Sequence, residues 1–502
     1  MAVDPSVPSA GPASSPTLSS SPSTSGGLGQ RIEDHALERV PDSERRGGWG
    51  LLWNTAGVGS TLVVLSVGAA VTLIAGVGWG IAVGAVTAVL GGALGWAVGH
   101  VSYVSGTSST VTSRFYGLGT RGSALASLIF AVMIVGFIAL ENAMLYNGTL
   151  FLLGWAPSPG HAVLIFGILT VAWLILPTFG IALVQRTSGL LTAVSAVLFI
   201  VVAGIAVGSS GHSVGVILGT GTGIPTGFAG QADRVQAAFA LIAGIAGALA
   251  LVGADFARYA RTSRDVGIMA VGGSIVVNLL VLVIGTLIVQ AGSVVVGARL
   301  AADPALAATQ PGASIEDKVS GMVSANPGAF FVVLAGVTGF GLVYAAQAKA
   351  QVINAYSASL SLTNLVDGLT RRSPGRFVML VVANGIALVM ISIGILDTIS
   401  SWLDALGILT TSLSALLIAD YFLVRRGQPA DPARVEQVNW AGVITLVIAS
   451  VLAEVLVLTG VTRLGFVVAI VATAVLYPVL RRTVLPEGTG TRFDFTSSAP
   501  QR

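Results

Sequence analysis

The sequence contains no cysteine and only four histidines, and just 9% of its 502 residues are charged. Without cysteine, disulfides, thiolate metal sites and cysteine nucleophiles are excluded. The histidines, His35, His100, His161 and His212, are scattered over a polar tail and the ends or loops of apolar runs. No cluster of metal ligands and no nucleophile–base set marks an enzyme, and the repeated filter segment of a channel is missing. A soluble domain has about a quarter of its residues charged. At 9% charged and 54% hydrophobic, this chain cannot clothe a water-facing surface, and lipid must be its main solvent. The net charge of +3 does not signal nucleic acid, because the basic residues are dispersed at the ends of apolar runs rather than clustered.

What is abundant is apolar length. Residues 1–30 are rich in Pro, Ser, Gly and Thr and are expected to be a disordered tail. No short apolar stretch with a cleavage site precedes the first long run, so no signal peptide is expected. Residues 31–48 form a polar lead-in. Runs of about 20 apolar residues cross roughly 30 Å of hydrocarbon. Such runs fall at 49–75, 79–99, 123–154, 161–184, 188–209, 235–255, 267–291, 328–360, 376–395, 399–423, 439–459 and 464–480, twelve in all. The 328–360 run is long enough to demand tilt or a break.

Placing the N-terminus inside puts twenty Lys or Arg residues on the cytoplasmic side. Only Arg234, Arg299, Lys318 and Arg463 fall outside, and Lys349 lies within the membrane. The excess of inner positive charge predicts a plasma-membrane protein with both termini cytoplasmic. The long outer segment 291–327, with Pro304, Pro311 and Pro327, reads either as a plain connection or as a short helix or lid on the outer face.

Glu141 and Lys349 are ionisable groups inside apolar runs, which makes each a functional-site candidate. The first run contains Gly57, Gly59 and Ser60, and the sixth contains Gly244 and Gly247. Two readings fit these glycines. Unwound backbone at matching places in two five-span halves points to a binding site between the repeats; close helix packing through small residues explains them as well.

Four segments carry a family resemblance: Ile32-Glu33 with Glu38–Arg45, Gly253–Arg261 at the inner end of the sixth run, Asn354–Leu360 in the eighth, and Ile418–Tyr421 with Arg425-Arg426 closing the tenth. In this order and at these runs, they resemble the purine–cytosine permeases of the nucleobase:cation symporter-1 family. The resemblance implies an all-α polytopic fold of twelve transmembrane helices, a LeuT-like five-plus-five inverted repeat (49–209 and 235–423) with two extra C-terminal helices at 439–482, and a cytoplasmic tail at 483–502. It implies symport of a nucleobase with H⁺ or Na⁺ and no cofactor. The alternative substrates are allantoin, a hydantoin or a vitamin-like heterocycle such as thiamine or pyridoxine.

The resemblance also assigns residues. Phe137 and Glu141 are i and i+4 on one helix face, placed as a stacking aromatic and a hydrogen-bonding group. Asn142 follows but points to another face. Asn354 aligns with a substrate-binding asparagine, Gln347 and Gln351 lie close to it, and Ser60 and Gly247 complete the substrate set. Gly57, Lys349 and Glu141 form the cation-coupling set. Glu141 departs from the family's usual amide and either titrates or pairs with Lys349. Lys349 falls where sodium-coupled members carry hydroxyl ligands, so a proton-cycling amine in place of Na⁺ is expected. In the sixth run the family's aromatic and hydroxyl positions fall on Ala246 and Ala248, which predicts a roomier pocket. Asp255 and Arg258 read as a helix-capping surface pair or part of an inner gate, and Glu454 as a structural residue or an oligomer contact. The expected partners are a nucleobase-like substrate, the bilayer and, as an open option, a second copy of the chain.

Overall fold

The computed structural model describes residues 37–178, 181–219, 228–372 and 374–489, without the side chains of Asn54, Val58, residues 181–185 and Asp397. The expected disordered tail, Ile32-Glu33, His35 and the end of the C-terminal tail lie outside the described residues. Among the described residues every regular element is helical, and the one extended pairing is a bridge between Arg46 and Ala260.

The helices that matter here are α1 (Gly48–Gly59), α2 (Leu62–Ala75), α3 (Val77–Ser105), α4 (Ser109–Phe115), α5 (Ser123–Leu153), α6 (Pro159–Thr178) and α7 (Ile181–Ser210). They continue with α8 (Gln231–Ala257), α9 (Ser263–Ala302), α10 (Ile315–Ala325), α11 (Pro327–Thr370) and α12 (Arg376–Ser392). The last three are α13 (Ile399–Val424), α14 (Trp440–Leu458) and α15 (Gly465–Val484). Ten of these are long and apolar enough to cross a membrane, and the bent pair α1–α2 makes an eleventh. The ninth expected run differs: its helix, α12, has only 17 residues and falls short of that length.

α5 packs along α11, α3 along α9, and α1 and α2 against α8. These pairs are the third run with the eighth, the second with the seventh and the first with the sixth, the runs an inverted repeat would equate. α14 and α15 pack on each other and on α13, outside this core.

The first span breaks where its glycines fall. α1 and α2 meet at 75°, and Ser60 leaves the helical region at φ −96°, ψ 58°. A Cβ on Gly59 would lie 2.1 Å from Val277, so only glycine admits α9 this close. The freed backbone is taken up locally. The Thr61 side chain accepts from Val64 N, and Gln347 Oε1 accepts from Leu62 N at 3.1 Å. The sixth span, in contrast, is one continuous helix. Its glycines serve packing: a Cβ on Gly244 would meet the Leu403 carbonyl oxygen at 2.5 Å, and one on Gly247 would meet Thr410 Oγ1 at 2.2 Å. The small-residue reading therefore holds for α8 and the unwound reading for α1–α2.

α11 holds the long eighth run. Its 44 residues would extend roughly 66 Å as one rod, but Gly336 interrupts it in a conformation (φ 57°, ψ −133°) that side-chain-bearing residues avoid. The segment 291–327, expected on the outer face, is no plain connection. It folds into a short helix, Pro304–Ala308, and into α10, which starts with a reciprocal Ser314–Asp317 capping box and buries Val319 and Met322.

The lead-in is anchored to the helices around it. Val40 N donates to Gly106 O at 2.9 Å, Arg46 N to Tyr259 O at 2.6 Å, and Arg261 N to Arg46 O at 3.1 Å. Gly48 N, at the start of α1, donates to Asp265 Oδ1 at 2.7 Å. The beginning of the first span is thereby tied to the ends of α3, α8 and α9.

Candidate functional site

Lys349 is wholly buried on α11, with 0% exposure. Its ammonium donates to Ser60 Oγ and to Ser195 Oγ, both at 2.7 Å, and lies 5.8 Å from the centre of the Phe199 ring. One bond therefore reaches the break in the first span and the other reaches α7. Of the two readings of Glu141, pairing with Lys349 does not occur: among the described residues the two form no direct ion pair, and each has its own partners. Ser195 and Phe199 were not singled out from sequence. They are one turn apart on a run that carries no charge of its own.

Below this point α7 presents Ser188, Thr192 and Ser195 toward α1. Gly57 packs here, where a Cβ would lie 2.5 Å from Thr192 Oγ1 and 3.3 Å from Ser188 Oγ. It sits one turn before Ser60 and lets the first span reach the α7 hydroxyls.

Glu141 of α5 faces α11 and is 1% exposed. Asn354 Nδ2 donates to Glu141 Oε2 at 3.1 Å. Among the described residues, no hydrogen bond reaches the other carboxylate oxygen or Asn354 Oδ1. One turn earlier on α11, Gln351 donates through Nε2 to Ile138 O at 2.9 Å and to Asn142 Oδ1 at 3.3 Å, leaving its own Oε1 buried and without a partner. Asn142 also accepts from Trp173 Nε1 at 2.9 Å. Asn142 is thus not turned away from the site; it fixes Gln351. The seam between α5 and α11 carries three acceptor oxygens with no donor of their own among the described residues.

Phe137 is half-buried one turn from Glu141, and the indole of Trp402 from α13 meets it edge-on, with centroids 5.0 Å apart at 82°. The Trp402 indole N–H is buried and unpartnered. Trp402 belongs to the tenth run, whereas the family resemblance directs a second aromatic to the sixth. The small Ala246 there does not open the expected room, since a Cβ on Gly91 of α3 would lie 3.2 Å from Ala246 Cβ. Close approach of α3 takes up that volume.

Asp255 and Arg258 are no surface pair. They are 2% and 0% exposed. Asp255 Oδ1 accepts from Ser109 N and Ser109 Oγ, each at 2.8 Å, at the first turn of α4. The Arg258 guanidinium donates to Tyr259 and Tyr356 hydroxyls at 3.2 and 3.1 Å. On the Tyr356 ring lies a second buried guanidinium, Arg376, 4.7 Å from its centre, which also donates to Pro177 O at 3.2 Å. Sequence alone placed Arg376 among the inner topology charges; its burial is a tertiary fact. The group joins α4, α8, α11, α12 and α6.

A family model described as permease for cytosine/purines, uracil, thiamine, allantoin matches residues 39–479. No curated protein matches the chain by sequence. The fold is similar to that of Mhp1, a nucleobase-cation-symport-1 family transporter, in a closed conformation with bromovinylhydantoin bound. That similarity has a TM-score of 0.65 at 17% identity and covers 91% of this chain and 96% of the other. Inward-facing Mhp1 aligns with a TM-score of 0.64 at 18% identity over 88% of this chain and 92% of that one. A Na⁺-coupled sialic acid symporter in a substrate-bound outward-open state aligns at 0.56 and 14% identity, over 87% and 90% of the two chains.

Proposed function

The chain belongs to the family of permeases for cytosine/purines, uracil, thiamine and allantoin, and on that premise we propose that it imports a nucleobase-type heterocycle by alternating access, coupled to a proton rather than to sodium. The substrate sits between α5 and α11. Its ring N–H and amino donors meet the free oxygens of Glu141, Asn354 and Gln351, and Phe137 and Trp402 supply aromatic surface. Gly247, packed on Thr410, contributes shape rather than an exposed backbone contact.

The observation that carries the coupling is the Lys349 ammonium held by Ser60 and Ser195. Sodium needs oxygen ligands, and these two hydroxyls are already accepting from an ammonium. A second positive charge about 4 Å away would be repelled by about 4 kcal/mol at an effective dielectric constant of about 20. The amine thus stands in for the metal ion. Protonated, it holds the broken first span against α7 and α11; on giving up its proton it keeps two N–H donors but loses the charge assistance, about 1–1.5 kcal/mol per bond, and that hold weakens.

Counterflow of labelled cytosine, adenine, hypoxanthine, uracil and allantoin in proteoliposomes identifies the substrate. For one proton per substrate, a one-unit inward pH gradient supplies about 1.36 kcal/mol, enough for about tenfold accumulation, and a Na⁺ gradient drives none. Lys349→Thr loses the pH drive. Sodium-driven uptake by the wild type, or undiminished pH-driven accumulation by Lys349→Thr, refutes the proposal.

A further inference from the structure

A groove of about 540 Å³ runs along α9 on the outside of the helix bundle, remote from the polar site. Its floor is Arg264, Gly267, Val271 and Ile275, a spacing that keeps them on one helix face, and the indoles of Trp49 and Trp96 line its sides. From Arg264 to Ile275 the helix rises about 16 Å, roughly half the ~30 Å hydrocarbon thickness of a bilayer. The groove is therefore one leaflet long.

Its ends differ chemically. The apolar end points toward mid-membrane, and the other end carries Arg264, whose exposed side chain makes no hydrogen bond or ion pair among the described residues. The adjacent carboxylate does not neutralise it, because Asp265 is taken by Thr262 and by Gly48 N. Trp49 is 74% exposed and Trp96 37%; indoles so placed favour the membrane–water boundary. Gly267 deepens the floor, since a Cβ there would have as its nearest neighbour Trp96 Cδ1 at 3.6 Å.

We propose that this groove binds one anionic phospholipid of the inner leaflet, with a phosphate on Arg264 and an acyl chain lying over Gly267 and Val271 between the two indoles. Guanidinium matches phosphate geometry bidentately, and the long apolar floor matches a chain rather than a free anion. Trp49 lies on α1, the inner half of the broken span, while the floor is α9. The bound lipid touches both, so the rate of movement of α1 depends on the anionic lipid present. This inference stands apart from the identity of the transported substrate.

The test is native mass spectrometry of the full chain released from micelles containing equal phosphatidylglycerol and phosphatidylcholine. One basic residue near an anionic headgroup favours it by about fivefold. The wild type is expected to retain one phosphatidylglycerol with about that preference. Arg264→Gln, a change at an exposed side chain, brings the ratio near unity. Gly267→Leu fills the groove and loses the bound lipid, with thermal unfolding in detergent unchanged because the site is open. Equal retention of the two lipids by the wild type, or an unaltered ratio in both variants, overturns the proposal. So does a dimer that Gly267→Leu abolishes, because it assigns the groove to a second copy of the chain.

Discussion

Replacing Glu141 by Gln tests the binding geometry most directly. The substitution preserves size, and the new amide oxygen can still accept from Asn354 Nδ2, which lies 3.1 Å from the carboxylate in the wild type. What changes is the other position, an oxygen with no protein donor, which becomes an NH2 group that donates and cannot accept from the substrate. Glu141 is 1% and Asn354 3% exposed, so bulk solvent does little to replace the lost acceptor. A hydrogen bond to a charged acceptor is worth about 1.5–3 kcal/mol, and the whole of it is lost. That loss corresponds to a rise in KM of about 13- to 160-fold. Glu141→Ala is worse, because it also leaves Asn354 Nδ2 buried without an acceptor, at about 1–3 kcal/mol. Counterflow measured over a range of substrate concentrations gives KM, and thermal unfolding of purified Glu141→Gln verifies that the fold is intact. An unchanged KM in a folded Glu141→Gln protein shows that the substrate does not reach this carboxylate, and the placement between α5 and α11 then fails.

Trp402→Ala removes the edge-on partner of Phe137 and is expected to raise KM about 2- to 13-fold, in line with about 0.5–1.5 kcal/mol for an aromatic contact; the same counterflow assay measures it. Gly244→Ala forces a methyl against the Leu403 carbonyl oxygen, so α8 and α13 must part at about 1–3 kcal/mol. Its Tm falls, whereas Gly204→Ala, with nothing within 4 Å, leaves Tm unchanged or higher. Asp255→Ala strips both acceptor bonds from Ser109 and loosens the inner network. Because the chain has no native cysteine, one cysteine introduced at the buried Ser188 reports this as faster labelling by a membrane-impermeant maleimide from the inner side; equal labelling rates rule out a gating role for Asp255.

Much of the fold was legible because hydrocarbon imposes a length and an apolarity that composition reveals directly. Glu141 and Lys349 are legible for the same reason, as ionisable groups in apolar runs, and Asn354 through the family resemblance; Glu141 and Asn354 do meet. Their partners were harder to find. Ser195 reaches Lys349 across 154 residues of sequence, and a serine in an apolar run carries no signal of its own. The glycines of the first and sixth runs look alike in sequence yet act differently, because Gly59 sits at a chain break while Gly244 and Gly247 face a neighbouring helix. Arg376 shows the same limit: counted as an inner topology charge, it is buried against Tyr356.

The anchored lead-in has a mechanical consequence. Bonds from Val40, Arg46 and Gly48 fasten the start of α1 to the neighbourhoods of α3, α8 and α9, so the inner half of the first span is no free lever. It swings only if those four backbone and carboxylate ties rupture, or if the helices they join travel with it as a single block. Lys349 lies on α11, to which none of those ties runs, and its bonds to Ser60 and Ser195 join the break in the first span to α11 and α7. Under the proposed coupling, the proton on that amine fastens one end of α1 while the lead-in fastens the other, and cutting the lead-in ties would free the start of the span with the amine bonds still in place.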